Sequence, residues 1–515
     1  GADVVLLNSD TVVSAGWLDR LSAAAHSAPD IGTVTPLSNN GEITSYPVRS
    51  AQNPLPPGVT AAELDALAAE VNQGVTVDLP TGVGFCLFVK ADCLAAVGLL
   101  DAHRFGKGYG EETDFCLRAL RAGWRSVCAA DVFVAHVSSV SFGAEKQTLI
   151  HRNMPRIRRR YPEYTAMADS FVQDDPLGPA KQALEQAYLR KIPQLPDTLV
   201  IAPHDWRTDP NIQPLRHAWL ASAANTIWLF QDPKRPERVL LRGDGTGSIG
   251  ALRYDLPQEA EALRADLACF PFARIHWLTL PSNSHVRAAV LAQTAPQVLH
   301  LLSANTLHGL DTAHEVRADF LPRMQQVRTY SGFGARWAAA LGCAVECAAP
   351  PPWPRHPKAK PPVAAPGDPL QIAIHGQVTD AAAFAVLLQL ARAAAQTGAP
   401  LHIYALAPTL DDAALWRTGC VSCLGNVRAE DRAWLTQALG CAAVMSCAQG
   451  QDPAPFALFE MAQGAAGLIA FDGGCRGDVL AGHPNALRLP QGLGAEDMLA
   501  RLCHWHAQTL AQRAA

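Results

Sequence analysis

Two groups of acidic residues stand where they could carry chemistry. Asp10 closes the tripeptide Asn8-Ser9-Asp10 directly after the apolar run DVVLL, and ligand groups in open α/β sheets commonly follow the ends of strands. Glu111, Glu112 and Asp114 lie together in the segment GEETD. A carboxylate at a strand end can bind a divalent cation, and a carboxylate beside a hydroxyl can act as a general base. The two groups could therefore divide cation binding and proton abstraction between them.

Both groups also have an ordinary structural interpretation. Asn-Ser-Asp is a common turn and helix-capping composition. The acids of GEETD suit the positive end of a helix dipole, which would keep Glu112 ionised near neutral pH. His136 ends the apolar segment DVFVAHV; it could complete a cation site, since imidazole suits Mn²⁺, or it could be structural. The residue types alone leave these alternatives open.

The elements that would position these residues follow from hydrophobic periodicity. DVVLL is predicted to be a buried strand, GFCLFVK and SVCAADVFVAHV are predicted to be further strands, and EETDFCLRALRAG is predicted to be a helix closed by Gly123. Thr60 and Glu63 form the pattern of a capping box before another helix. Alternation of strands and helices over residues 1–165 predicts an α/β layer architecture.

The same alternation continues through the rest of the chain. The polar stretch 166–196 is expected to be a linker, and an α/β lobe is expected at 197–348. Residues 349–368 are rich in proline and are predicted to form a semi-rigid linker. A second Rossmann-like lobe at 369–515 would complete a two-lobed unit with a cleft.

Five segments within residues 1–165 add a family resemblance. The chain resembles, in the same order, the family-2 glycosyltransferases of the GT-A fold through LLNSDTVVSAGWLDRL, IGTVTPLSNNGEITSYP, LPTGVGFCLFVK, GYGEETDFCLRALRAGWR and VAHVSSVSFG. The resemblance implies that a sugar is moved with inversion from a nucleotide-diphosphate donor to a hydroxyl, with Mg²⁺ or Mn²⁺ as cofactor. Because the strand and loop that hold the nucleobase come before this pattern in the family, we expect a GT-A domain without its N-terminal part.

The resemblance assigns the cation site. The family's Asp-x-Asp motif falls on Asn8-Ser9-Asp10, so Asp10 would hold Mg²⁺ or Mn²⁺. Asn8 replaces the first acid and would be a neutral or water-mediated ligand on the donor side. A His at the place of His136 can complete the metal site in the family.

The resemblance also assigns the base. The family's acidic pair falls on Glu111-Glu112, where Glu112 would deprotonate the acceptor hydroxyl and Glu111 would support it, with Asp114 as a further candidate. Arg118 follows in the same helix and is placed among the donor- and acceptor-binding residues.

Two glycines are candidates for the acceptor side. Gly82 and Gly84 in PTGVGF resemble the small residues that line this side in the family. They could give access to the backbone or could simply pack.

Residues 197–515 resemble the family-4 glycosyltransferases of the GT-B fold. The similarity lies in VSCLGNVRAEDRAWLTQALGCAAVMSCAQGQDPAPFALFEMAQGAAGLIAFDGG. The family's two donor-site acids, eight positions apart, fall on Asp452 and Glu460. Gln377 stands where the family keeps a cation for the diphosphate, and no Lys is near it. Two phosphates would then be poorly compensated, which favours a catalytically degenerate pair of lobes over an active one.

Composition limits the partners. The chain has 49% hydrophobic and 17% charged residues, a globular balance that excludes wholesale disorder, and its net charge of −5 provides no basic field for nucleic acid. Its apolar stretches are interrupted too early to span a bilayer. The expected partners are a nucleotide-diphosphate sugar and a glycan or lipid-linked glycan of a surface polysaccharide.

Location and rival functions follow from the same features. Scattered cysteines and the lack of a secretory signal predict a cytoplasmic protein. The arginines of RNMPRIRRRYP could attract an anionic lipid at the inner face of the membrane or form a solvated face. One rival is a non-catalytic glycan-binding or scaffold protein built from decayed transferase folds. Another is an enzyme whose activity resides in the GT-B half.

Overall fold

The chain is described by a computed structural model that covers residues 1–51, 53–56, 58–106, 110–137, 143–191, 195–204, 212–221, 225–233, 235–244, 249–302, 319–340, 344–349, 369–375, 378–425, 427, 429–449, 456–464 and 467–514. It divides into two compact units. The first unit comprises Gly1–Asp197 and Asn225–Pro271, and the second comprises Thr198–Ala224 and Phe272–Ala515.

Strands and helices alternate along both units, as the sequence predicts. The strands are β1 Val4–Leu7, β2 Thr11–Val12, β3 Ile31–Leu37, β4 Thr76–Leu79, β5 Cys86–Val89, β6 Arg125–Phe133, β7 Ala135–His136, β8 Thr198–Ile201, β9 Thr226–Asp232, β10 Arg235–Gly243, β11 Leu252–Asp255, β12 Arg274–Trp277, β13 Gln297–His300, β14 Gln326–Thr329, β15 Val345–Cys347, β16 Leu370–Ile374, β17 Leu401–Ala405, β18 Val421–Cys423, β19 Ala443–Ser446, β20 Leu468–Phe471 and β21 Ala486–Leu489. The helices are α1 Trp17–His26, α2 Ala61–Val71, α3 Ala91–Val97, α4 Ala102–Phe105, α5 Glu111–Arg121, α6 Gly143–Arg160, α7 Glu163–Asp174, α8 Gly178–Leu189, α9 Gln213–Ala221, α10 Ala260–Ala268, α11 Ser284–Leu291, α12 Gly332–Ala340, α13 Ala381–Thr397, α14 Asp412–Trp416, α15 Ala429–Ala438, α16 Phe456–Gly464, α17 Arg476–Gly482 and α18 Ala495–Ala514.

A mixed five-stranded sheet forms the centre of the first unit. Its strand order is β1-β5-β3-β6-β4, in which β3 and β6 are parallel and the other neighbours are antiparallel. The short strands β2 and β7 pair separately. Helix α5 lies on one face, where Phe115, Cys116 and Ala119 pack against Leu87 of β5. Helix α1 lies on the opposite face, where it packs with Phe88 of β5 and Val127 of β6. Helices α2 and α8 pack with Cys128 of β6, on the same face as α5.

The strand that leads to Asp10 forms as predicted, but it is not buried. β1 is at the edge of its sheet and pairs with β5. Val4 and Leu7 are 38% and 42% exposed. The prediction of a buried strand is therefore wrong, because a short apolar run has the same composition at the edge of a sheet as at its centre.

Two predicted helix signals are confirmed. In the capping box, the Thr60 N–H donates to Glu63 Oε2 at 2.8 Å, and the Glu63 N–H donates to Thr60 Oγ1 at 3.2 Å. Helix α5 begins after Gly110 and is followed by Gly123, and both glycines have positive φ (128° and 90°). Such φ values favour glycine, so these two residues fix both ends of the helix that carries the acidic pair.

Residues 166–196 are helical and do not form the expected linker. Helices α7 and α8 occupy most of this range, and α8 packs against α2. Three polar residues of α8, Lys181, Gln182 and Glu185, are buried. The Glu185 carboxylate accepts hydrogen bonds from the backbone N–H of Gly250, at 3.0 Å, and of Ala251. Because hydropathy counts such residues as solvent-facing, the stretch was expected to be a linker.

The second unit contains parallel strands in two groups. Strands β8, β12, β13, β14 and β15 pair in that order, and the six-stranded sheet has the order β18-β17-β16-β19-β20-β21. The predicted α/β class is confirmed for this unit. Of the proline-rich linker predicted at 349–368, residues 350–368 lie outside the described residues. Within the described part of the chain, no helix is both long and apolar enough to cross a bilayer.

Candidate functional site

Asp10 and His136, far apart in sequence, lie side by side in the first unit. β2 and β7 bring them together, because Thr11 is paired with His136 and the Val137 N–H donates to the Asp10 carbonyl at 2.9 Å. Asp10 Oδ1 is 3.3 Å from His136 Nε2. The structure therefore brings the two residues predicted to bind a metal into direct contact.

The His136 ring is held so that Nε2 faces Asp10. Its Nδ1 lies 2.9 Å from the Asn40 carbonyl, which can only accept, so Nδ1 carries the proton of the neutral ring. The ring also stacks on Phe85, with centroids 5.4 Å apart. In the neutral ring, the Nε2 lone pair then faces a carboxylate oxygen. A proton or a cation between the two atoms would satisfy both.

Asn39 fixes the backbone on which His136 lies. Its Oδ1 accepts from the His136 N–H at 2.8 Å, and its Nδ2 donates to the His136 carbonyl at 3.2 Å. Asn39 and Asn53 also exchange side-chain-to-backbone hydrogen bonds at 3.0 and 3.1 Å. Sequence reasoning missed Asn39 and Asn40, although both lie in the segment IGTVTPLSNNGEITSYP that carries the resemblance.

Asp10 Oδ1 and His136 Nε2 are spaced as two neighbouring ligands of a divalent cation would be. Ligands in neighbouring positions of an octahedron with bonds of about 2.1 Å are about 3 Å apart, close to the 3.3 Å between Asp10 Oδ1 and His136 Nε2. The Asn8 side-chain nitrogen Nδ2, which is a hydrogen-bond donor and not a cation ligand, lies 3.5 Å from the same Nε2. Among the described residues, no group of three or more His, Cys, Asp or Glu could hold a metal. A cation here would take its other ligands from substrate oxygens and water, as Mg²⁺ commonly does.

Glu112 has an unusual environment for a carboxylate at the first turn of a helix. Part of the Glu112 residue is exposed to solvent, but its carboxylate is surrounded by protein. This burial, together with the charge of Glu111, raises the pKa of Glu112 to about 8. The Gly110 N–H donates to Glu112 Oε2 at 3.3 Å, which only partly offsets these effects. The expectation that the helix dipole keeps Glu112 ionised at neutral pH is therefore wrong, because desolvation exceeds the dipole effect.

Two more carboxylates act on Glu112. The charge of Glu111 raises its pKa most among the neighbouring groups, and Glu42 raises it further. Glu111 Oε2 is buried and has no hydrogen-bond partner among the described residues. Glu42 adopts a φ of +52°, which is uncommon outside glycine and costs about 1 kcal/mol or more. Converging carboxylates, an unpaired oxygen and local strain are typical of a site that binds or transfers protons.

A dipeptide of the loop before β5, Gly84-Phe85, adjoins both halves of the site. Phe85 stacks on His136 and accepts a hydrogen bond from the Asn8 N–H at 2.9 Å. A Cβ built on Gly84 would lie 3.5 Å from Glu112 Cγ. His136 and Glu112 therefore lie against consecutive residues. Sequence reasoning missed Phe85, although the motif PTGVGF contains it.

The structure favours packing as the role of Gly82. A Cβ at residue 82 would lie 2.4 Å from a methyl carbon of Leu87, a clash that only the absence of a side chain avoids. The Gly82 N–H donates to Cys116 Sγ at 3.2 Å, so its donor is engaged.

The structure does not bring Asp114 and Arg118 to the acidic pair. Asp114 is buried and accepts hydrogen bonds from Arg118 Nε at 2.9 Å, Arg160 at 2.9 Å and the Tyr161 hydroxyl at 2.8 Å. The Arg118 guanidinium also donates to the carbonyls of Val97 and Leu99. Both residues are thus engaged in the packing of α5.

Comparison with solved structures finds glycosyltransferases. A sucrose-phosphate synthase from Thermosynechococcus elongatus is 14% identical, with 60% of this chain and 89% of that chain covered at a TM-score of 0.45. HepE from Anabaena in complex with UDP and glucose is 12% identical, covering 61% and 91% at 0.43. A glycosyltransferase from Rickettsia africae ESF-5 is 8% identical, covering 60% and 88% at 0.41. No protein-family model and no curated protein matches the chain.

The candidate residues of the C-terminal half remain predictions. Asp452 and Gln377 lie outside the described residues. Glu460 lies in helix α16, but its side chain is not among those described. The interpretation of this half as a catalytically degenerate pair of lobes therefore stays a prediction from the sequence.

Proposed function

We propose that this chain is a glycosyltransferase that moves a sugar from a nucleotide-diphosphate donor to a hydroxyl with inversion, and that the site lies in the first unit. One observation carries the proposal. His136, which contacts Asp10, lies against Phe85, and the buried carboxylate residue Glu112 lies against the preceding residue, Gly84. Direct displacement at an anomeric carbon needs a cation at the departing diphosphate and a general base at the incoming hydroxyl, close to each other. The GT-A assignment of residues 1–165 is part of this proposal.

The residues have separate tasks in this reaction. Asp10 and His136 Nε2 would hold Mg²⁺ or Mn²⁺, and the cation would offset the charge of the departing diphosphate. Ionised Glu112 accepts the proton of the acceptor hydroxyl while the hydroxyl oxygen bonds to the anomeric carbon. The carbon–oxygen bond to the diphosphate breaks, and its electron pair leaves with the phosphate. A base with a pKa near the working pH suits this task.

The acceptor is proposed to be a glycan or lipid-linked glycan of a surface polysaccharide. Arg158 and Arg159 are exposed on α6, which supports contact with an anionic headgroup at the inner face of a membrane. Neither arginine forms an ion pair with another described residue.

The base is tested by nucleotide release from a panel of UDP-, GDP- and dTDP-sugars with Mn²⁺. We expect Glu112→Gln to lower turnover by ~10²–10⁴-fold with donor affinity unchanged, because Gln keeps the shape and loses the proton acceptor. Glu70→Gln, at an exposed position of α2, is the matched control. Wild-type turnover in Glu112→Gln would place the base elsewhere.

The cation site is tested without turnover. Electron paramagnetic resonance of Mn²⁺ added to the chain measures free and bound metal directly. We expect Asp10→Asn and His136→Ala each to weaken Mn²⁺ binding, whereas Asp92→Asn at an exposed position leaves it unchanged. Equal binding by all four proteins would rule out this site.

A further inference from the structure

The second unit contains a cavity of about 520 Å³ over one face of its parallel strands, with helix α9 forming part of the wall. Parallel strands usually bury two apolar faces. One face follows this rule, since Ile275, Trp277 and Leu299 are fully buried. The face beneath the cavity carries instead Arg274, His276, His300, Arg328 and Tyr330.

A chain of hydrogen bonds crosses the floor of the cavity. His276 Nδ1 is 2.8 Å from His300 Nε2, and His300 Nδ1 is 2.7 Å from the Tyr330 hydroxyl. Burial lowers the pKa of His276 to about 3 and that of His300 well below its usual value, so both rings are neutral. When the Tyr330 hydroxyl donates to His300 Nδ1, the proton of the neutral His300 ring is on Nε2 and is donated to His276 Nδ1. The proton of the neutral His276 ring is then on Nε2. A hydrogen-bond donor is then available on the cavity side of the chain.

The cavity also has an uncompensated positive charge. Arg328 is paired with Glu346, at 2.9 Å between Nε and Oε2. Arg274 is exposed and has no ion-pair or hydrogen-bond partner among the described residues. No carboxylate belongs to the described lining of the cavity. Its free cation and its neutral donor would both be satisfied by an anion.

The wall formed by helix α9 presents an aromatic side chain, Trp219, on which a ring could stack. The Trp219 indole stacks on His276, with centroids 4.7 Å apart, and Leu215 and Ala218 of the same helix also line the cavity. A volume of this size suits a ligand of one or two rings.

We propose that this cavity binds a small organic anion, a ring compound with a phosphate or carboxylate group. Arg274 and the His276 Nε2–H hold the anionic group, and the ring lies along Trp219. The proposal concerns a different unit from the transfer site and does not depend on it.

The test is isothermal titration of the whole chain with glucose 6-phosphate, glucuronate and uncharged glucose, which separates phosphate from carboxylate recognition. We expect one of the two anions to bind at a single site and glucose to bind more weakly. Arg274→Met should weaken that binding about 10- to 100-fold, the effect of losing a charged hydrogen bond. Arg501→Met, at an exposed position of α18, is the control.

Three results would overturn the proposal: no binding of either anion at millimolar concentration, binding of glucose as tight as that of the anions, or equal losses in the two arginine variants. Circular dichroism confirms that the variants fold. Glu112→Gln should bind the anion as wild type does, so failure of the transfer site and failure of this cavity are distinguishable.

Discussion

Replacing Glu112 by Gln should stabilise the protein increasingly as the pH rises. In the folded chain this carboxyl keeps its proton up to a pKa of about 8, whereas its ordinary value is 4.5. Between these two pH values the folded state binds more protons than the unfolded state. The free energy of unfolding of the wild type therefore decreases with rising pH in this window, by ~1.4 kcal/mol per pH unit.

The magnitude follows from the width of the window. A shift from 4.5 to about 8 corresponds to ~5 kcal/mol at pH 8 and above, and to ~3 kcal/mol at pH 7. Glutamine has no proton to lose, so the variant lacks this decrease. The difference in stability between variant and wild type should grow from near zero at pH 5 toward these values.

Urea unfolding at pH 5, 6, 7 and 8, followed by tryptophan fluorescence, measures this difference. Glu70→Gln serves as the control and should run parallel to the wild type. A Glu112→Gln curve that is also parallel to the wild type would refute the burial argument. A variant that is more stable and inactive would show that the site keeps a destabilising group for its chemistry.

Three further outcomes are expected. Thr60→Ala removes the helix cap that pairs with Glu63 and should lower the free energy of unfolding by about 1 kcal/mol, measured by urea titration. Asn39→Ala leaves the His136 backbone groups unpaired and should cost about 1–3 kcal/mol for each group, with weaker Mn²⁺ binding in the resonance assay. Burial lowers the pKa of Lys181 from 10.5 to about 8, so wild-type stability should rise between these pH values by ~1.4 kcal/mol per unit. Lys181→Met should abolish that rise, and a rise that persists in the variant would contradict the assignment.

The sequence predicted those features that depend on neighbours along the chain. The capping box of α2, the limits of α5 and the alternation of strands and helices follow from local composition and spacing, and all are confirmed. The contact of Asp10 with His136 was reached through the family resemblance, since no local rule pairs residues so far apart.

The features that the sequence did not predict arise from packing between distant segments. The protonation of Glu112 depends on the protein around its carboxylate, and spacing along a helix carries no information about that. Asn39 supports His136 through backbone groups, which no side-chain pattern reveals. Helix α8 buries polar residues because Gly250 and Ala251 supply donors from another part of the chain.

The division of the chain into discontinuous units has a consequence for synthesis. The polypeptide leaves the first unit at Asp197, returns to it at Asn225 and leaves it again after Pro271. When synthesis has reached residue 197, the N–H donors of Gly250 and Ala251 that bind Glu185 have not yet been made. The first unit therefore cannot complete its fold until the later segment has been synthesised. For the same reason, no single cleavage of the chain releases this unit intact.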